Sequence, residues 1–123
     1  MLVRQSKNTF IRFWDGCGYI INQMTRHDRM YNETGADFLQ EISRKPQSID
    51  EIVERLQTLY GDSVPAEKLR NDFTEFVSDL AAHLFLVTGE TEEELNEKDM
   101  DFSYSMENPK TLADDFTQEN TPS

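Results

Sequence analysis

The residue types best suited to covalent or metal chemistry are few in this chain: one cysteine, Cys17, and two histidines, His27 and His83. A zinc site needs clustered ligands at short, regular spacings, and the two histidines lie far apart with no such pattern. Cys17 has neither a CxxC partner nor a neighbouring histidine, so it reads as a turn residue rather than a nucleophile. Carboxylates crowd the last part of the sequence. In an exposed acidic segment they are solvated and poorly placed for paired acid–base work. No Gly-rich phosphate loop, serine elbow or iron–sulfur cysteine triplet occurs. The sequence therefore predicts no catalytic residue, no metal and no cofactor, and the expected protein is not an enzyme. What remains is the chemistry of recognition.

Charge narrows the partners. The 123 residues carry a net charge of −12. Residues 1–89 hold 13 acidic and 10 basic side chains, whereas residues 90–123 hold 11 acidic and 2 basic. The first part is nearly balanced and can build a core; the second is a polyanion. A protein that grips nucleic acid needs clustered Lys and Arg to neutralise phosphates, and this field opposes that. An anionic membrane surface is disfavoured for the same reason, while a basic peptide would be attracted. One cysteine allows no internal disulfide, and no apolar run fits a signal peptide or a membrane span. The expected compartment is the cytoplasm.

The elements follow from pattern. Residues 9–14 (TFIRFW) are aromatic and β-branched, Asp15-Gly16 is a turn signal, and residues 19–24 read as a second strand. Residues 29–32 give a short third strand. Asn32 then suits a helix N-cap, and Ala36, Phe38, Leu39 and Ile42 follow at near-helical spacing up to Lys45-Pro46. Gly35 weakens this helix by about 1 kcal/mol relative to Ala. Ser48 to Glu51 is a capping box, with Ser48 expected on the N3 amide. Ile49, Ile52, Val53, Leu56 and Tyr60 mark the face of the second helix, which Gly61 ends. Pro65 is expected at the N1 position of a third helix with the stripe Leu69, Phe73, Phe76, Val77 and Leu80. Leu84 to Val87 extends that helix or forms a short strand. Thr91 and Glu94 make another capping box, with only Leu95 to bury. The rest is poor in aliphatics and is expected to stay disordered until a partner orders it. Phe102 to Met106 and Phe116 interrupt its polarity as candidate anchors for such a partner.

The expectation is an α+β, winged-helix-like domain over residues 1–89, a three-stranded antiparallel sheet followed by three helices, and an acidic C-terminal tail over 90–123. Within it, Asn32-Glu33-Thr34-Gly35-Ala36 after a short strand, the run PQSIDEIVERL from Pro46 to Leu56, Asn71-Asp72-Phe73 with Phe76-Val77 and Leu80, and Leu84 to Val87 occur in an order and spacing that resembles the PqqD family. These are the RiPP recognition elements, which bind the leader of a ribosomally made precursor peptide. The resemblance covers roughly residues 8–89 and is silent on the acidic tail.

The resemblance implies a peptide chaperone that presents its precursor to a modifying enzyme, of the radical SAM class, in natural product biosynthesis. It also implies a groove. The leader adds as a strand beside the third strand, here Arg29, Met30, Tyr31 and Asn32, and lies against the third helix, here Lys68, Asp72, Glu75, Phe76 and Asp79. An exposed sheet edge supplies main-chain groups for such β-augmentation. Met30 and Tyr31 point to opposite faces, so only one of them can line the groove. The helix acids suit a leader with Lys or Arg around apolar anchors. The alternative is a winged-helix transcription regulator. That needs a basic recognition helix, whereas this one carries Glu67, Asp72, Glu75 and Asp79 against Lys68 and Arg70. Edge strands also invite self-pairing, so the sequence leaves monomer or dimer open.

Overall fold

In a computed structural model, which describes residues 1–107 and the side chains of residues 1–100, a turn forms at Asp15 and Gly16 as expected, but with these two residues alone rather than residues 15–18. Their φ values of 54° and 77° are both positive, the type I′ geometry whose twist matches paired strands. The turn joins β2 (Thr9–Trp14) to β3 (Cys17–Asn22), and β4 (His27–Asn32) pairs with β3 on the other side. The meander is antiparallel, with Trp14 opposite Cys17 and Asn22 opposite His27. The second and third strands each begin two residues earlier than the sequence suggests, because the tight turns leave no slack.

A second sheet was not expected. β1 (Leu2–Gln5) lies between β5 (Gln47–Ser48) and β6 (Leu86–Gly89), antiparallel to both. The order is therefore not three strands followed by three helices, and the winged-helix-like description gives way to an α+β fold with two three-stranded sheets. β1 escaped notice because it is four residues long and only Val3 in it is fully buried. The run after the third helix is a strand, not an extension: Leu84 has φ 69°, which breaks the helix and redirects the chain to β1.

The helices follow their stripes. α1 (Glu33–Gln40) buries Ala36, Phe38 and Leu39, and Asn32 takes the N-cap position without a side-chain hydrogen bond. α2 (Ile49–Tyr60) buries Ile49, Ile52, Val53 and Leu56. Its cap differs by one residue from expectation: the Ser48 hydroxyl accepts from the N2 amide of Asp50 at 3.2 Å. A 3-10 turn, Gly61–Ser63, leads to α3 (Ala66–Ala82), where Pro65 stands at N-cap rather than N1. Leu69, Phe73, Val77 and Leu80 of α3 meet Ile20, Phe38, Leu56 and Leu86 in one apolar core. Each such side chain contributes about 1.5–3 kcal/mol when fully buried.

Order does not stop at Gly89. α4 (Glu92–Glu107) packs on β6 and β1. The Thr91 hydroxyl accepts from the Glu94 amide at 3.2 Å, as the capping box predicts. Leu95 is fully buried, and one turn later Asp99 is buried too. Its carboxylate accepts from Arg4 at 2.6 Å and from the Lys7 amide. One apolar contact and one satisfied ion pair on the same helix face hold this turn to β1, which composition could not reveal. Phe102 to Met106 fall in the helical backbone, while Phe116 lies outside the described residues.

Candidate functional site

β4 is an edge strand, and its open side runs beside α3. Which main-chain groups it offers follows from the turn. Trp14 and Cys17 flank a two-residue loop and so form its hydrogen-bonded closing pair. Alternation then directs Gly18, Ile20 and Asn22 toward β4, bonded to Tyr31, Arg29 and His27. The amides and carbonyls of Asp28 and Met30 consequently point away from the sheet, free to pair with an added strand.

Side chains alternate the other way. Arg29 and Tyr31 lie on the helix side and are half-buried, while Met30 is 58% exposed on the opposite face. Of the two candidates for lining a groove, Tyr31 is on the right face. Its ring meets Phe76 of α3 edge-on at 5.0 Å, and Phe76 in turn contacts Phe38 at 5.3 Å. This aromatic contact closes the space between strand and helix. Gly35 explains itself here: a Cβ at that position would sit 2.7 Å from the Tyr31 Cβ. The helix gives up propensity so that α1 can back directly onto Tyr31. Asn32 is exposed at the strand–helix junction.

Two of the four α3 acids, Asp72 and Asp79, are engaged. Asp79 pairs with Arg29 across the gap and lies 3.4 Å from His83. Asp72 pairs with Lys68 at 3.0 Å, one turn apart on the same helix. Glu75 is exposed between them. Arg29 also donates to the Tyr31 hydroxyl at 3.4 Å and lies over the Phe85 ring at 5.8 Å. The hydrogen bond to Tyr31, followed by that to Asp79, holds its guanidinium above the ordinary arginine range against the opposing effect of burial. The structure thus brings Arg29, Tyr31, Phe76 and Asp79 into contact and leaves Met30, Asn32, Lys68 and Glu75 at the rim.

Sequence reasoning missed the end of this groove. A cleft of about 310 Å³ opens where β4 begins and α3 ends, lined by Arg26, His27, Asp28, Arg29, His83 and Phe85. His27 and His83, far apart in the chain, share it. No spacing rule could have joined them, because His27 opens β4 whereas His83 is the C-cap of α3. Among the described residues no group of His, Cys, Asp and Glu could hold a metal ion.

A model of the family described as coenzyme PQQ synthesis protein D (PqqD) matches residues 24–86, just over half of the chain. The matched stretch runs from the turn before β4 to the first residue of β6, and so contains both walls of the groove. No curated protein matches the chain significantly. Among solved structures, one titled "TbiB1 in Complex with the TbiA(beta) Leader Peptide" has a TM-score of 0.60 and 15% identity, covering 72% of this chain and 99% of that one. At that identity the likeness is one of fold.

Proposed function

Because the chain belongs to the PqqD family, we propose that it binds the leader of a ribosomally made precursor peptide as an added strand along β4 and presents the rest to a modifying enzyme. The chain is an accessory binding protein rather than a catalyst. The observation that carries the peptide reading is the open edge of β4 facing α3, with outward main-chain groups at Asp28 and Met30 and an apolar floor at Tyr31 and Phe76. The structural relative solved with a leader peptide supports it at the level of fold.

In this reading main-chain hydrogen bonds from β4 set the register of the leader, and side chains on its inner face reach Tyr31, Phe76 and Phe85. Asp72 and Asp79 are already neutralised by Lys68 and Arg29, so Glu75 is the acid left to meet a leader cation. Arg29 contacts the peptide from within the groove, and Asn32 and Lys68 from its rim. The enzyme served is of the radical SAM class, and the pathway runs in the cytoplasm. Among the described residues no helix is long and apolar enough to cross a membrane. A DNA-binding role is disfavoured by the acids along α3.

Titration of ¹⁵N-labelled protein with the leader half of a short peptide encoded nearby tests this. Binding in the micromolar range, roughly −8 kcal/mol, should shift amides of residues 28–32 and 68–80. No shift at several hundred micromolar peptide, roughly −5 kcal/mol or weaker, would remove the groove assignment.

A further inference from the structure

The sheet has a second open edge, β2, and its chemistry is different. The alternation that turns Asp28 and Met30 outward on β4 turns Thr9, Ile11 and Phe13 outward on β2. Arg44 closes the Thr9 end: its guanidinium donates to the Thr9 carbonyl at 2.7 Å and lies over the Phe10 ring at 5.0 Å. Beyond it, no hydrogen bond among the described residues reaches the outward groups of Ile11 and Phe13. Beside them stand two exposed aromatic side chains, Trp14 at 76% and Phe13 at 45%. An uncapped edge flanked by exposed aromatics is a pairing surface. β2 also contains no acid, its one charge being Arg12. The nearest acids, Asp15, Glu33 and Asp37, line the pocket beside Phe13 and Trp14, so Arg12 is the one cation that each copy brings to the other's acidic end.

We propose that β2 is a self-association edge, at which two copies pair antiparallel about a two-fold axis at Phe13 and join their sheets. This register puts Phe13 opposite the partner's Phe13 on the helix side. On the outer face it puts Arg12 opposite the partner's Trp14, and Trp14 opposite the partner's Arg12. Each Arg12 guanidinium, which lies over its own Phe10 ring at 5.8 Å in the single chain, then moves to cover the partner's indole, and both exposed aromatics are covered. A register centred on Ile11 would need Thr9, whose carbonyl Arg44 already occupies. Pairing stops at Asp15, which the turn holds at φ 54°. One short strand pair buries well under the roughly 1,000 Å² of a durable interface, so the dimer is weak and concentration-dependent. The inference does not rest on leader binding, which uses the opposite edge.

Trp14 is the only tryptophan in the chain, so its emission reports on this edge alone. Sedimentation and fluorescence are measured on the full chain from about 10 μM to about 1 mM, the span expected of a weak complex. The average mass should climb from monomer toward dimer, and the emission should move to shorter wavelength over the same range. Arg12→Glu should weaken association about tenfold by removing two cation–π pairs, with peptide binding unchanged and the thermal melt lowered only by the loss of the Arg12–Phe10 contact. Trp14→Ser, followed by sedimentation, should do likewise. A monomer throughout would overturn the proposal. So would a dimer whose Trp14 emission does not move, or one indifferent to Arg12→Glu. An emission shift seen only on adding a modifying enzyme would assign the edge to that enzyme instead.

Discussion

The two open edges of one three-stranded sheet are built from the same backbone geometry and prepared for different company. The β4 edge runs beside a long helix, and its side chains are anchored there: Arg29 to Asp79, Tyr31 to Phe76. The β2 edge runs past the end of α1. There a single cation, Arg44, blocks half of it and leaves Phe13 and Trp14 exposed. One edge is a groove with a floor and two walls; the other is a bare rim. The contrast lies in the lining: main-chain pairing can supply register at either edge, but only the side chains of a second element can supply selectivity.

The largest effect should come from removing the wall of the β4 groove. Phe76→Ala deletes a half-buried ring in contact with Tyr31, Phe38 and Phe73. It should cost about 2–3 kcal/mol in urea unfolding, somewhat less than a fully buried Phe, and abolish peptide binding while leaving the β2 edge intact. If binding survives, the groove lies elsewhere. Gly35→Ala should come next. Ala favours the helix by about 1 kcal/mol, but a Cβ 2.7 Å from Tyr31 forces the strand and helix apart at about 1–3 kcal/mol. We expect net destabilisation in denaturant titration and displaced Tyr31 and Phe76 resonances. A gain in stability would mean that α1 yields easily.

Arg29→Ala should have a smaller effect on folding, about 1 kcal/mol or less for a partly exposed ion pair. It should weaken leader binding several-fold by freeing Asp79 and uncovering Phe85. Arg44→Ala sharpens the comparison from the other side. It uncovers the Thr9 carbonyl and should change stability by under about 1 kcal/mol, yet increase self-association in sedimentation without altering peptide affinity. The least effect concerns pH. Burial, then the hydrogen bond to Asp37, pushes the Tyr60 hydroxyl up to about 12. A group raised in the folded state stabilises fully below its unfolded value near 10 and loses that contribution as pH rises toward 12. Thermal melts should decline across that window, and Tyr60→Phe should flatten the decline. Tyr60 joins α2 to α1, away from both edges, so association at either edge should not follow this titration.

Much of the groove was legible because its parts are local. Asp15-Gly16 signalled a turn between two strands, and its type I′ geometry in the structure fixed which residues of each strand face outward. The stripe on α3 falls at helical spacing, and that spacing alone sets Phe76 and Asp79 one turn apart on neighbouring faces. Their partners were harder. The helix acids read as a free negative face, but Lys68 and Arg29 neutralise two of them. Lys68 is one turn away and could be inferred; Arg29 comes from another element and could not. Met30 and Tyr31 must oppose each other on any strand, yet only packing on Phe76 decided which of them faced α3.

The sequence by itself determined the meander, the three apolar helix stripes and the segregation of acid toward the C-terminal end. These depend on residues within a turn or two of each other. The tertiary structure decided the rest: the sheet that pairs Leu2–Gln5 with Leu86–Gly89, the cleft shared by His27 and His83, and the docking of α4 through Leu95 and Asp99. A strand of four residues with one buried side chain carries almost no local signal. It becomes a strand because a distant segment offers it hydrogen bonds, and that offer exists only once the core has formed.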